Sequence, residues 1–112
     1  MNIETYLLTG HALDWAVASY ADKHVTIKDI LWGNYSPSTD WSQGGPIIER
    51  ERITVNIGWT TERPLASIWT VKDGEVFASF KCRGETPLIA AMRTYVRSKL
   101  GDRVEVPAEL CK

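Results

Sequence analysis

The chain has 112 residues, of which 44% are apolar and 24% charged, and its formal net charge is −1. That size and balance predict a single globular domain, residues 1–112, with room for one modest core. They exclude a general nucleic-acid binder, which needs a strongly basic surface. No apolar run reaches the roughly 18 residues of a membrane span, and no basic-then-apolar leader opens the chain.

The charge is uneven. Residues 1–56 carry four basic and seven acidic side chains, whereas residues 57–112 carry nine basic and seven acidic. The basic excess concentrates in Lys81, Arg83, Arg93, Arg97, Lys99 and Arg103, which predicts a local positive face on a nearly neutral protein. Cys82 and Cys111 form no CxxC pair, and His11 and His24 lack a spaced partner, so neither metal nor cofactor is expected. A reducing, cytoplasmic setting follows from the cysteine usage. Five tryptophans are many for this length and point to a recognition surface.

In chain order, Ile3 to Leu8 reads as an extended lead-in or edge strand. Thr9 is placed to cap a helix over 10–20, with Leu13, Ala16, Val17 and Tyr20 on one face. His24 to Leu31 reads as an imperfectly alternating strand. Residues 35–46 hold Pro37, Gly44, Gly45 and Pro46 and read as a built loop rather than a helix. From Glu49 to Trp59, strict alternation of Ile53, Val55, Ile57 and Trp59 with polar residues predicts a half-buried strand. A turn over 60–64 and a strand over 65–72 follow. Asp73-Gly74 then predicts a type I′ hairpin, pairing Val71 with Val76, Thr70 with Phe77, Trp69 with Ala78, Ile68 with Ser79 and Ser67 with Phe80. The side bearing Val71, Trp69 and Ser67 is the more apolar and is expected to face the core. Thr86-Pro87 starts a second helix that Gly101 closes as a left-handed cap, with Arg93, Thr94, Arg97 and Ser98 on its polar face. Val104 and Val106 suggest a short strand that Pro107 stops. The predicted fold is α+β: two layers, a largely antiparallel sheet of three or four strands, and one helix near each terminus.

Four segments carry a resemblance. They are Leu8-Thr9-Gly10-His11-Ala12-Leu13-Asp14-Trp15-Ala16-Val17-Ala18, the loop from Tyr35 to Arg50, Thr86-Pro87-Leu88-Ile89-Ala90-Ala91-Met92-Arg93, and Lys99 to Pro107. Together and in this order they resemble the NinX family of small proteins from lambdoid and related tailed phages and prophages. The resemblance spans nearly the whole chain and is weakest over 51–82. It implies an accessory protein outside the capsid and tail set, acting in the cytoplasm of the infected bacterium. It transfers no chemistry to particular residues.

The residues must therefore supply the function. Paired Gly44 and Gly45 can expose successive N–H groups to an anion, and Ser38, Thr39, Asp40 and Gln43 can add hydrogen bonds. Trp41 can stack on a planar ring, and Arg50, or Arg93 with Arg97 one helical turn apart, can balance phosphate charge. No Lys-Ser/Thr follows the glycines, so this is not a P-loop. The alternative is a rigid surface loop with Trp41 plugged into its own core. Glu49 and Glu51 share one side of the expected strand, but ordinary surface charge accounts for them, and no catalytic constellation emerges. The reading is a non-catalytic binder that sequesters a nucleotide-like small molecule, a defence signal in the infected cell, with the pocket completed by homo-oligomer formation. A module that inhibits a host defence protein is the alternative, and a small nucleotide-cleaving enzyme the third.

Overall fold

The computed structural model describes residues 1–57 and 62–111. The chain is α+β, with elements β1 (Asn2–Glu4), α1 (Gly10–Ala21), α2 (Ile27–Leu31), α3 (Trp41–Glu51), β2 (Thr54–Asn56), β3 (Leu65–Lys72), β4 (Glu75–Arg83), α4 (Pro87–Leu100) and β5 (Arg103–Glu105). Short 3-10 turns occupy Thr5–Leu7 and Ala108–Leu110. Among the described residues, β2, β3 and β4 form one antiparallel sheet in that order, and β1 pairs antiparallel with β5 to join the two ends of the chain.

Helix α4 is the centre of the molecule. Thr86 caps it by accepting from the Ile89 N–H, and Pro87 opens it where no N–H is needed. It is buried on nearly every side: Leu88, Ala90, Ala91, Met92, Tyr95 and Val96 all lie in the core. Arg93 and Thr94, expected on a solvated face, are buried as well. The Thr94 hydroxyl donates to the carbonyls of Ala90 and Ala66 and so ties the helix to β3. Helix α1 packs on α4 through Leu13, Ala16 and Val17. Thr9 stands at its N-terminus as expected, but its hydroxyl makes no capping bond.

Three expectations give way. Residues 24–31 are not a strand, because Thr26 and Asp29 form a reciprocal capping box that starts α2 and sets Ile30 in the core. Residues 41–51 are helical despite two glycines and a proline. Asp40 caps the helix through the Ser42 N–H, and Gly44, Ile47, Ile48 and Glu51 recur at helical spacing on the inner side. Pro46 removes the bond to the Ser42 carbonyl, and Ser42 is exposed, so water can take it. The strand expected over 49–59 is reduced to 54–56. Arg52 adopts a left-handed conformation (φ 54°), and the Ile53 N–H bonds back to the Ile48 carbonyl, a Schellman end to α3. Trp59, with Thr60 and Thr61 of the expected turn, lies outside the described residues.

The hairpin turns at Asp73-Gly74 with both φ values positive, as a type I′ turn requires. The expected pairs hold from Lys72–Glu75 to Trp69–Ala78. A bulge between Ile68 and Trp69 then leaves Ser79 unpaired, so Ile68 pairs with Phe80 and Ser67 with Lys81. The extra residue puts Phe80 and Cys82 on the side of Ile68 and Ala66 and sends Lys81 and Arg83 to the other. The core side of β3 is accordingly that of Ala66 and Ile68. Trp69, Val71 and Val76, expected inside, are exposed. The side chains of Phe77 and Ala78 lie outside the described residues.

Candidate functional site

The loop before α3 is held by its own polar groups. Asp40 accepts from the N–H and hydroxyl of Ser42 and from the Gln43 amide, and Gln43 Oε1 accepts from the Ser36 N–H at 2.9 Å. These bonds hold the Asp40 carboxyl below its usual range. Thr39 is exposed and closes a turn onto the Ser36 carbonyl. Ser38 is buried. Its N–H donates to Asp14 Oδ1 at 2.9 Å, while its Oγ has no hydrogen-bond partner. Burial pushes the Asp14 carboxyl up, against the pull of Ser38 and His11. No sequence signal marked Asp14, since it lies among apolar residues of α1.

The glycine pair does not form an anion cradle. The Gly44 N–H bonds to the Asp40 carbonyl within the first turn of α3. Gly44 is there for space, because a Cβ would overlap the Pro37 carbonyl oxygen and reach 2.5 Å from Leu88 Cδ1. Trp41 points outward, 56% exposed, with its ring edge over Gly45. Arg50 pairs with Glu51 at 3.1 Å, and Glu51 in turn holds Lys99 at 3.0 Å.

Arg93 and Arg97 contact none of these residues. Arg93 donates from Nε to the Leu8 carbonyl (2.7 Å) and from Nη1 to the Arg83 carbonyl (3.0 Å), and it pairs with Glu85. Arg97 donates to Asp102 (2.7 Å) and to the Lys81 carbonyl (3.1 Å). The two arginines therefore clamp the outer edge of β4, where unpaired carbonyls would otherwise invite another strand. The ten candidate residues fall into two groups: Ser38 to Arg50 around α3, and Arg93 with Arg97 at β4.

The second group borders a groove to which no sequence motif pointed. A groove of about 490 Å³ lies between the 3-10 turn after β1, the end of β4, and the α4–β5 junction. Lys81, Arg83, Arg97 and Arg103 line it with Glu4, Tyr6 and Asp102. Its size is that of a small-molecule site. Arg103 pairs with Glu4 at 3.1 Å, and Lys81 and Arg83 pair with no carboxylate among the described residues. Cys82 also lines the groove, where burial pushes its thiol up, with Arg97 pulling the other way. The basic excess after residue 80 was the available signal. The pairing of β1 with β5, which brings Glu4 and Tyr6 to it, was not legible. Among the described residues, no group of three or more His, Cys, Asp or Glu gathers as a metal site. No helix among them is long and apolar enough to cross a membrane.

No curated protein matches the chain. The family described as Bacteriophage P22, NinX, matches residues 6–99, which takes in α1, the capped loop, the hairpin and nearly all of α4. The match covers well over half of the 112 residues, and the chain belongs to this phage protein family.

Proposed function

We propose that this protein is a phage accessory protein of the infected bacterium's cytoplasm. It binds a nucleotide-derived small molecule without turning it over, and so withdraws a signal used in bacterial defence. The surface is the groove beside Tyr6, not the loop at 35–46. One observation carries the reading: four cationic side chains, Lys81, Arg83, Arg97 and Arg103, surround a groove of about 490 Å³ beside an exposed tyrosine ring. Phosphate suits the cations, and a planar base suits the ring. Of the groups that could act on a bound ligand, Glu4 and Asp102 are each in an ion pair with an arginine, and burial pushes the Cys82 thiol up. Thermal-shift measurement against a panel of nucleotides tests it, with recovery of the unaltered ligand by mass spectrometry. A panel in which no nucleotide raises Tm at saturation rejects the reading.

A second reading has its own observation. Trp69, Val71 and Val76 leave an apolar stretch exposed on the outer side of the hairpin. This suits a protein contact, either a host defence protein or a second copy of the chain. Sedimentation and capture from bacterial lysate, each repeated with Val71→Glu, distinguish the two.

A further inference from the structure

Two grooves meet at Tyr6. The first is the one described above. The second, about 340 Å³, lies between Leu7, Thr9, Arg63, Arg83, Glu85 and Arg93, again with Tyr6. Tyr6 and Arg83 belong to both, so the grooves flank one aromatic ring that is 58% exposed. Around them stand Arg63, Lys81, Arg83, Arg93, Arg97 and Arg103, against the carboxylates Glu4, Glu85 and Asp102. Six cations against three anions make this region positive on a chain of net charge −1.

The cations are not equivalent. Arg93 is buried and committed to two carbonyls and Glu85, so it contributes field rather than a free contact. Arg63, Arg97 and Arg103 are in ion pairs with exposed carboxylates, which a phosphate can displace at small cost. Lys81 and Arg83 have no carboxylate partner among the described residues. They stand two residues apart on one side of β4, beyond the bulge, which separates them by about 7 Å along the strand. That is of the order of the spacing between successive phosphates on a nucleotide chain.

Resting on the binding reading above, we infer that the ligand carries two phosphate groups, as a dinucleotide does. It spans both grooves, with one base on Tyr6, one phosphate at Lys81 and Arg97, and the other at Arg83 and Arg63. A mononucleotide fills only one half. The same chemistry can come from a free dinucleotide or from a single-stranded nucleic acid, and we assign the free dinucleotide because the cationic region ends with the two grooves.

Isothermal titration of the full chain with AMP, the linear dinucleotide pApA and a ten-nucleotide oligoadenylate tests this. The expected result is that pApA binds roughly tenfold or more tighter than AMP, and that the oligomer binds no tighter than pApA. Arg63→Ala is expected to weaken pApA by roughly tenfold while leaving AMP unchanged, and Tyr6→Ala to weaken both. Equal affinity for AMP and pApA, or indifference of pApA to Arg63→Ala, overturns the two-phosphate inference and leaves the binding reading standing. A decisive preference for the oligomer overturns the assignment to a free dinucleotide. Binding of none of the three ligands overturns this inference, and the binding reading itself falls only if the wider nucleotide panel also fails.

Discussion

Ser38 donates its backbone N–H to Asp14 at 2.9 Å, joining the loop before α3 to the middle of α1 in a place that water does not reach. The loop's position thus depends on a buried carboxylate rather than on the turn residues that make it conspicuous. Replacing Asp14 by Ala strands the Ser38 N–H and should cost about 1–3 kcal/mol. Asn keeps an acceptor for the Ser38 N–H and removes the buried charge, so Asp14→Asn should be at least as stable as the parent at neutral pH. Burial raises the carboxyl's native pKa, so the native state holds this proton more tightly than the unfolded state. Its contribution favours folding at low pH and is lost as pH rises from the ordinary aspartate range through the raised native pKa. Urea unfolding of parent and Asp14→Asn across that window should show the variant gaining relative stability as pH rises. A pH-independent difference sinks this account.

The two glycines of α3 should respond in opposite ways. Gly→Ala inside a helix normally stabilises by roughly 0.5–1 kcal/mol. At Gly45 the nearest obstacle to a new Cβ is Trp41 at 4.0 Å, so Gly45→Ala should raise Tm. At Gly44 the methyl meets the Pro37 backbone and Leu88, so Gly44→Ala should lose about 1–3 kcal/mol to overpacking. Paired thermal melts decide it, and an equal response at the two sites refutes the packing argument.

Arg93 and Arg97 look alike in sequence and should separate in experiment. Arg93→Ala leaves the Leu8 and Arg83 carbonyls without a donor and is expected to cost about 3 kcal/mol or more. Lys cannot reproduce the forked geometry, so Arg93→Lys should not rescue it. Arg97 is partly exposed, and Arg97→Ala should change stability by only about 1 kcal/mol while reducing nucleotide affinity. Denaturant melts alongside titrations test both halves.

Gly101 ends α4 at φ 90° and ψ −164°, a region open essentially to glycine alone, and its carbonyl accepts from the Thr5 hydroxyl at 2.6 Å. Its expected left-handed α cap is therefore replaced by an extended, positive-φ turn that sends the chain into β5. Gly101→Ala should cost about 1–3 kcal/mol, measurable as a lowered urea midpoint with unchanged slope.

Local chemistry was legible wherever a few neighbouring residues settle the backbone between them. Asp73-Gly74 set the turn, Thr86-Pro87 the start of α4, the apolar positions of 10–20 the first helix, and the ordered segments the family. Three things were decided only in the fold. Gly44, Gly45 and Pro46 are poor helix residues, yet 41–51 is helical because Gly44 and Ile47 gain burial against α4 that exceeds their propensity cost. Alternation over 53–59 could not show the left-handed Arg52, since a helix end and a strand both bring Ile53 to the core. The single unpaired residue in β4 reverses which side chains face α4 beyond it. The register of β4 against β3 beyond the bulge, not any local preference, therefore turned Cys82 inward and gave Lys81 and Arg83 to the groove.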